Sequence, residues 1–220
     1  CGGVTISVET LRRGLEGRGH EVWAFAPRFP GAPETDPRVV RFPSIPAATY
    51  PQFALAVPVA PSITRFVRRL DVDVFHAPHP FLLGPAALRT ARALGRPLVF
   101  TYHTRYEKYA HYVPLWRRVV ERAAIRLSTR FADAADGVIA PSTVVRDDLR
   151  RRGVTSAIRV VPTGLDLARF HPGDAVAARR ELGLPAAQPV VLYVGRLDRE
   201  KNVGRVLAAF ERIASTVPHA

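Results

Sequence analysis

The chain has 220 residues, of which 47% are apolar and 23% charged, the composition of an ordinary globular protein. Its single cysteine excludes an internal disulfide and a cysteine-only zinc site, and no apolar run approaches the roughly 18 residues of a membrane span. The net charge of +13 favours phosphate-bearing ligands, nucleic acid or an anionic membrane surface, without choosing among them.

Helical and strand patterns alternate along the chain. We predict, in chain order, helix 5–18, strands 21–27 and 39–43, an irregular proline-rich segment 44–61, helix 62–70, strand 72–77, a loop and helix within 79–95, strand 97–103, helix 114–132, strand 136–142, helix 143–153, strand 158–164, helix 174–183, strand 189–194 and helix 202–217. This alternation predicts an α/β fold with doubly wound parallel sheets covered by helices.

The turn-rich segment PTGLDLARFHPGD, residues 162–174, separates two series of these elements. We therefore place a linker at 165–173, a first domain at 1–164 and the start of a second domain at 174–220. Because the chain opens on Cys-Gly-Gly and contains no methionine, we expect a further strand upstream.

The segment VLYVGRLDREKN, residues 191–202, places two cations between a predicted strand and a helix. Arg196 offers a planar fork of donors to phosphate oxygens, and Lys201 stands where the N–H groups of a helix favour anions. The pair predicts a diphosphate clamp. The alternative is a surface ion pair between Arg196 and Asp198 or Glu200.

Two further segments carry candidate site residues. Gly2 and Gly3 precede the first helix, and they indicate either an anion site between a strand and a helix or a simple tight turn. His103 ends a strand, where it could donate a hydrogen bond or exchange a proton, or serve only as a cap or core residue. The tyrosines around it suit a pocket wall for a sugar or lipid headgroup, or packing.

The helix over 115–131 has one apolar face and five arginines: Arg117, Arg118, Arg122, Arg126 and Arg130. Such a helix could rest on anionic lipid, and the alternative is a solvated arginine face. His76 and His79 are close in sequence, but no carboxylate or cysteine stands at a ligand spacing, so no metal site is predicted.

The order of these motifs resembles the retaining GT-B glycosyltransferases of family four. The motifs are GGV, RGHEVWAFAP, DVDVFHAPHPFLLG, PLVFTYHTRYEKYAHYV, ADGVIAPSTVVRDDL, VVPTGLDLARFHP and VLYVGRLDREKNV, and they cover nearly the whole chain. The HPFLLG and YHTRYEKYAHY stretches are similar to those of bacterial diacylglycerol glucosyltransferases and related lipid glycosyltransferases.

The resemblance implies two Rossmann-like domains facing a cleft, the first binding the acceptor and the second, truncated here, binding a nucleotide-sugar. It implies that Arg196, Lys201, Gly2 and Gly3 contact the donor diphosphate and that His103 is the active-site histidine. We expect Tyr106, Glu107, Tyr109 and His79 to contact the acceptor. The reaction would retain the anomeric configuration, by a front-face displacement in which the leaving diphosphate helps to deprotonate the acceptor.

The resemblance also implies partners and location. The donor would be of the UDP-glucose or GDP-mannose type, no cofactor or metal is expected, and the acceptor hydroxyl could belong to diacylglycerol, a phosphoinositide or a soluble sugar or phenol. We expect a cytoplasmic bacterial protein at the inner face of the membrane, in peripheral contact with anionic lipid. The family's E-x7-E glutamates would lie further on, so we expect the full-length protein to be active and this chain alone to be inactive.

Three rival functions remain. A nucleic-acid-binding protein would account for the charge of +13, but the arginines are scattered and no helix-turn-helix or RNA-recognition motif occurs, so we expect no nucleic acid partner. A non-catalytic sugar- or nucleotide-binding regulator could use the same fold. A nucleotide-sugar epimerase is the third, and the LDREKN and YHT segments favour transfer over it.

Overall fold

A computed structural model of the chain describes residues 3–28, 36–47, 50–57, 60–108, 116–187, 189–195, 197 and 201–216. The chain divides into two compact units, Cys1–Leu165 and Asp166–Ala220. The first unit contains α1 (Gly3–Glu16), β1 (Ala24–Pro27), β2 (Val39–Phe42), β3 (Ser44–Ala47), β4 (Tyr50–Ala56), α2 (Ala60–Arg68), β5 (Phe75–Ala77), α3 (Leu83–Leu94), β6 (Leu98–Thr101), α4 (Arg117–Ala134), β7 (Gly137–Ala140), α5 (Thr143–Arg151) and β8 (Ile158–Val160). The second unit contains α6 (Ala175–Glu181) and α7 (Val203–Thr216).

The centre of the first unit is a parallel sheet with the strand order β5-β6-β7-β8. Its register pairs His76 with Val99 and Phe100 with Val138. Leu98 and Phe100 on β6 are fully buried, as expected for the inner strand of a sheet with helices packed on it. This sheet confirms the predicted parallel α/β architecture.

Two hydrophobic clusters hold the unit together. The larger joins the central sheet to α4 and α5 through side chains such as Phe100, Tyr102, Phe131 and Leu149. The smaller joins α2 and α3 to β2 and β4 through Phe42, Ala56, Ile63, Val67 and Ala86. Apolar burial of this kind contributes about 25 cal/mol per Å² and is the main stabilising term of the fold.

The prediction of an irregular segment over 44–61 was wrong. β3 and β4 form an antiparallel hairpin there, with Ser44 opposite Ala56 and a register shift after Pro46. Proline cannot donate to a strand ladder, which is why the prolines argued against strands. Both strands of a two-stranded hairpin are edge strands, however, so an edge position tolerates a residue without an N–H.

The prediction of a strand over 189–194 was also wrong. Residues 189–195 form neither helix nor strand in the structure. An extended segment becomes a β-strand only when a neighbour completes its backbone hydrogen bonds. Within the described part of Asp166–Ala220, no other segment pairs with it.

Among the described residues, no helix combines the length and the apolar character that a membrane span requires.

Candidate active site

The carboxyl ends of the parallel strands β5, β6 and β7 lie at one edge of the central sheet, where open α/β sheets bind their ligands. His76 of β5 and Thr101 of β6 meet there, with 2.6 Å between Nε2 and Oγ1. His103 follows two residues after β6, and its backbone N–H donates to the carbonyl of Thr101 at 3.0 Å. The structure therefore places the predicted histidine His103 beside a second histidine and a threonine.

The surroundings of both histidines favour the neutral imidazole. Desolvation by the packed protein and, to a smaller extent, charge repulsion from the nearby His103 together lower the pKa of His76 to about 4, although part of its side chain is exposed. Desolvation also lowers the pKa of the half-buried His103. A neutral imidazole carries one N–H donor and one acceptor nitrogen, so His103 can both donate to and accept from a bound hydroxyl.

An aromatic cluster lies beside this edge. The ring of Tyr106 makes edge-to-face contacts with His79, Phe81 and Tyr102 at centroid distances of 5.3, 5.0 and 5.8 Å. The backbone N–H of Phe81 lies 3.3 Å from Nδ1 of His79, which fixes that ring. Desolvation lowers the pKa of His79 despite an opposing contact with the Phe81 backbone. His79 remains exposed, whereas Tyr106 is only 8% exposed.

The predicted acceptor residue Glu107 lies in a buried ion pair. It is 6% exposed, and its Oε1 accepts from Arg152 at 2.7 Å. Burial alone would raise the pKa of Glu107, but Arg152, a backbone hydrogen bond and Arg105 together outweigh burial and lower it. Arg152 also contacts Asp148 at 2.6 Å and lies 3.3 Å from the hydroxyl of Tyr102. Arg152 thus ties both ends of the segment that contains His103 to the end of α5.

Arg152 and Gly84 were not predicted as residues that shape the site. The Glu107–Arg152 pair joins positions 45 residues apart, so no local pattern could have indicated it. Gly84 begins the buried part of α3 so close to the preceding loop that a Cβ atom would overlap the carbonyl oxygen of His79. The glycine of HPFLLG is the signal for that close approach, but a glycine at a helix start has many other uses.

The predicted donor residues fall partly within the described chain. Lys201 lies just before α7 and lines an open groove of about 320 Å³ with Arg205 and apolar residues of that helix. Gly3 is the first residue of α1, and a Cβ atom there would meet nothing within 4 Å. Arg196, Gly2 and Tyr109 lie outside the described residues. Within the part of the chain that the structure describes, no three His, Cys, Asp or Glu side chains gather as metal ligands.

Comparison with known proteins identifies the family. The sequence pattern of Glycosyltransferase Family 4 matches residues 1–169. The chain is 32% identical over 214 residues to alpha-monoglucosyldiacylglycerol synthase of Streptococcus pneumoniae, covering 94% of this chain and 48% of that protein. It is 32% identical over 212 residues to a GDP-mannose-dependent alpha-mannosyltransferase of Mycobacterium tuberculosis, covering 93% of this chain and 54% of that protein. The chain therefore belongs to Glycosyltransferase Family 4, and it spans about half the length of these relatives.

The fold is shared with solved GT-B glycosyltransferases. Sucrose-phosphate synthase from Thermosynechococcus elongatus superimposes with a TM-score of 0.74 at 24% identity, covering 97% of this chain and 55% of that one. This likeness and the parallel sheet confirm the predicted GT-B fold class. The assignment of acceptor and donor binding to separate domains stays a prediction.

Proposed function

We propose that the protein transfers a sugar from a nucleotide-diphosphate sugar to a hydroxyl acceptor. The observation that carries the proposal is the family match over residues 1–169, which includes the sheet edge where His103 and His76 lie. Family membership supports the reaction type, and the neutral histidine supplies a group able to hydrogen-bond a sugar hydroxyl. Because the chain spans about half of its relatives, the proposal concerns the protein encoded by the complete gene.

Lys201 and Arg196 are the proposed cationic contacts of the donor diphosphate, and Gly2 and Gly3 are proposed positions at which a phosphate can approach the backbone. Lys201 precedes the 14-residue helix α7, and the free N–H groups at a helix start favour an anion. The open space at Gly3 would let a phosphate come close to the backbone of α1.

The transfer proceeds with retention. The bond between the anomeric carbon and the diphosphate oxygen breaks, the acceptor oxygen bonds to the same face of that carbon, and the acceptor proton passes to the departing diphosphate. His103, held neutral, donates a hydrogen bond that orients the transferred sugar. The diphosphate leaves with the nucleotide, so negative charge develops on its oxygen, and the proposed contacts of Arg196 and Lys201 would stabilise that charge.

The acceptor is the hydroxyl of a membrane lipid, of which diacylglycerol or a phosphoinositide is an example. The name of the streptococcal relative, alpha-monoglucosyldiacylglycerol synthase, supports this class of acceptor. The exposed His79 is the acceptor contact among the described residues, because burial leaves little of Tyr106 and Glu107 accessible. For such an acceptor we propose that the protein works at the inner face of the membrane.

Calorimetric titration of the complete gene product tests the donor. UDP-glucose, GDP-mannose and UDP are titrated into wild type, Arg196→Ala/Lys201→Ala and the control Arg212→Ala, which removes an exposed cation from the same helix as the groove. One donor should bind to wild type and to the control. Charge-assisted hydrogen bonds contribute about 1.5–3 kcal/mol each, so the double variant should bind on the order of 100-fold or more weakly.

Two results would contradict the proposal. If none of the three nucleotides binds to a folded wild-type protein, the proposed transferase reaction is contradicted. The basic surface would then be the main functional feature. Equal weakening by Arg212→Ala would show that the overall positive field, rather than a specific clamp, attracts the nucleotide.

A further inference from the structure

The longest described helix, α4, has an outward side that the proposed reaction does not use. α4 contains 18 residues, and its inward side buries Ser128, Phe131 and Ala132 against the central sheet. The opposite side therefore points away from the core of the first unit. At 3.6 residues per turn, that side divides into an apolar half and a basic half, which together we call the α4 outer face.

The apolar half exposes large side chains to solvent. Trp116, just before the helix, is 65% exposed, Val119 is 59% exposed and Leu127 is 53% exposed, with the exposed Ala123 between them. Single exposed apolar residues are ordinary on protein surfaces, but these four follow one another along about 16 Å of a single helix. A contiguous apolar strip of this kind marks a surface that another apolar phase covers.

The basic half consists of Arg122, Arg126 and Arg130, which stand one helical turn apart. Like charges at this spacing repel each other and destabilise a helix. No acid within the described residues forms an ion pair with any of the three. They line an open groove of about 330 Å³, whose other residues are Ile125, Thr129 and Arg152. Arg152 already pairs with Glu107 and Asp148, so the three other guanidinium groups are the ones that favour an anionic partner.

We propose that the α4 outer face is a docking surface for an anionic lipid bilayer. A helix that combines an apolar strip with a row of arginines lies in the interface, with the apolar side chains at the acyl boundary and the arginines among the phosphates. Indole rings favour that boundary, which suits Trp116. A nucleic acid duplex would satisfy the arginines but would leave Trp116, Val119 and Leu127 in water, so the apolar half favours the bilayer.

The α4 outer face would be the part of the protein that makes the membrane contact of the proposed function. It rests on the proposed function only for the reason why the protein binds a membrane. Vesicle binding requires neither donor nor transfer. Failure of the wild-type protein to bind anionic vesicles, while it still transfers sugar to a detergent-dispersed acceptor, would overturn the surface and leave the reaction standing. Vesicle binding without nucleotide binding would overturn the reaction and leave the surface standing.

Flotation with phosphatidylcholine vesicles, with and without phosphatidylglycerol, measures docking of the complete gene product. The test variant is Arg122→Gln/Arg126→Gln/Arg130→Gln, because glutamine has nearly the helix propensity of arginine and should leave α4 folded. The control is Arg89→Gln/Arg159→Gln/Arg212→Gln, which removes three exposed arginines from three other elements. Each arginine near an anionic surface contributes about fivefold, so the test variant should bind on the order of 100-fold more weakly. The control should lose far less.

Fluorescence then tests whether the apolar half enters the lipid. This chain contains two tryptophans, and in the complete gene product the difference in emission between Trp23→Phe and Trp23→Phe/Trp116→Phe isolates Trp116. Its emission should shift to the blue on phosphatidylglycerol vesicles, and Trp116→Ala should weaken their binding about tenfold even at high salt, where arginine contacts are screened.

Three outcomes would overturn the proposal. The first is equal loss of vesicle binding in the test and control variants, which would assign binding to the net charge. The second is binding to a DNA duplex as tight as to vesicles. The third is Trp116 emission that stays unchanged on bound vesicles, which would leave the apolar half outside the lipid.

Discussion

At the scale of single residues, the edge of the central sheet is defined by two histidines with lowered pKa values. His76 contacts Thr101, and His103 follows β6. The sequence predicted His103 because a histidine at a strand end is conspicuous. It did not predict the contact of His76 with Thr101, because that contact depends on the register of β5 against β6.

The lowered pKa of His76 predicts that acid destabilises the fold. Its pKa falls from the ordinary 6.5 to about 4, so the unfolded chain binds a proton at a higher pH than the folded chain does. The free energy of unfolding should therefore decrease as the pH falls from about 6.5 to about 4. His76→Gln keeps a side chain able to bond Thr101 but cannot titrate, so its slope over this range should be shallower. Urea denaturation at a series of pH values measures the slope, and an unchanged slope would assign the titration to another group.

The Glu107–Arg152 pair predicts an asymmetric response to mutation. Arg152→Met leaves the buried Glu107 without its main partner and should cost about 3–5 kcal/mol of unfolding free energy. Glu107→Gln/Arg152→Met removes both charges, so it should be less destabilised than Arg152→Met alone. The neighbouring Arg151 is 69% exposed and pairs with Asp148 at 3.3 Å, so Arg151→Met should cost less than about 1 kcal/mol. Urea denaturation of all variants measures their free energies of unfolding. Similar decreases for Arg151→Met and Arg152→Met would contradict the role of burial.

At the scale of elements, the sequence predicted well those helices whose ends are set by neighbouring residues. Helix α5 was predicted at 143–153 and is found at Thr143–Arg151, since Ser142 caps it by accepting from the N–H of Val145 at 3.3 Å and Gly153 follows it. The β3–β4 hairpin was missed because its strands carry prolines. The strand at 189–194 was predicted from an apolar run, although ladder formation depends on a neighbour that no local pattern can supply.

The start of α3 depends on the absence of a side chain at Gly84. A Cβ atom there would overlap the carbonyl oxygen of His79 and lie 3.2 Å from Cζ of Phe131. Gly84→Ala should therefore cost about 1–3 kcal/mol or more, since the loop that contains His79 must move off the helix. Gly3→Ala is the matched control, because a Cβ atom at Gly3 meets nothing and alanine favours a helix. Thermal unfolding of both variants tests this, and equal stability of the two would show that the loop yields without cost.

At the scale of the whole molecule, the division into two units falls at Leu165 and Asp166, close to the linker predicted at 165–173. The linker was predicted from turn residues, and its bounds stay a prediction. The roles of the two domains depend on ligands that neither turn residues nor backbone geometry identify, and they therefore rest on the donor titration.

The segment between the units predicts where a protease cuts first. Residues 161–174 are exposed and form neither helix nor strand, apart from a short turn in which the N–H of Phe170 donates to Asp166 at 2.9 Å. One turn opens at little cost, whereas Arg159 lies in β8, whose backbone bonds to β7 must break before cleavage. Trypsin should therefore cut first after Arg169, as mass spectrometry of the early fragments would show. Arg169→Gln should abolish that cut while leaving later ones, and early cleavage at Arg159 in the folded wild type would contradict the protection of the sheet.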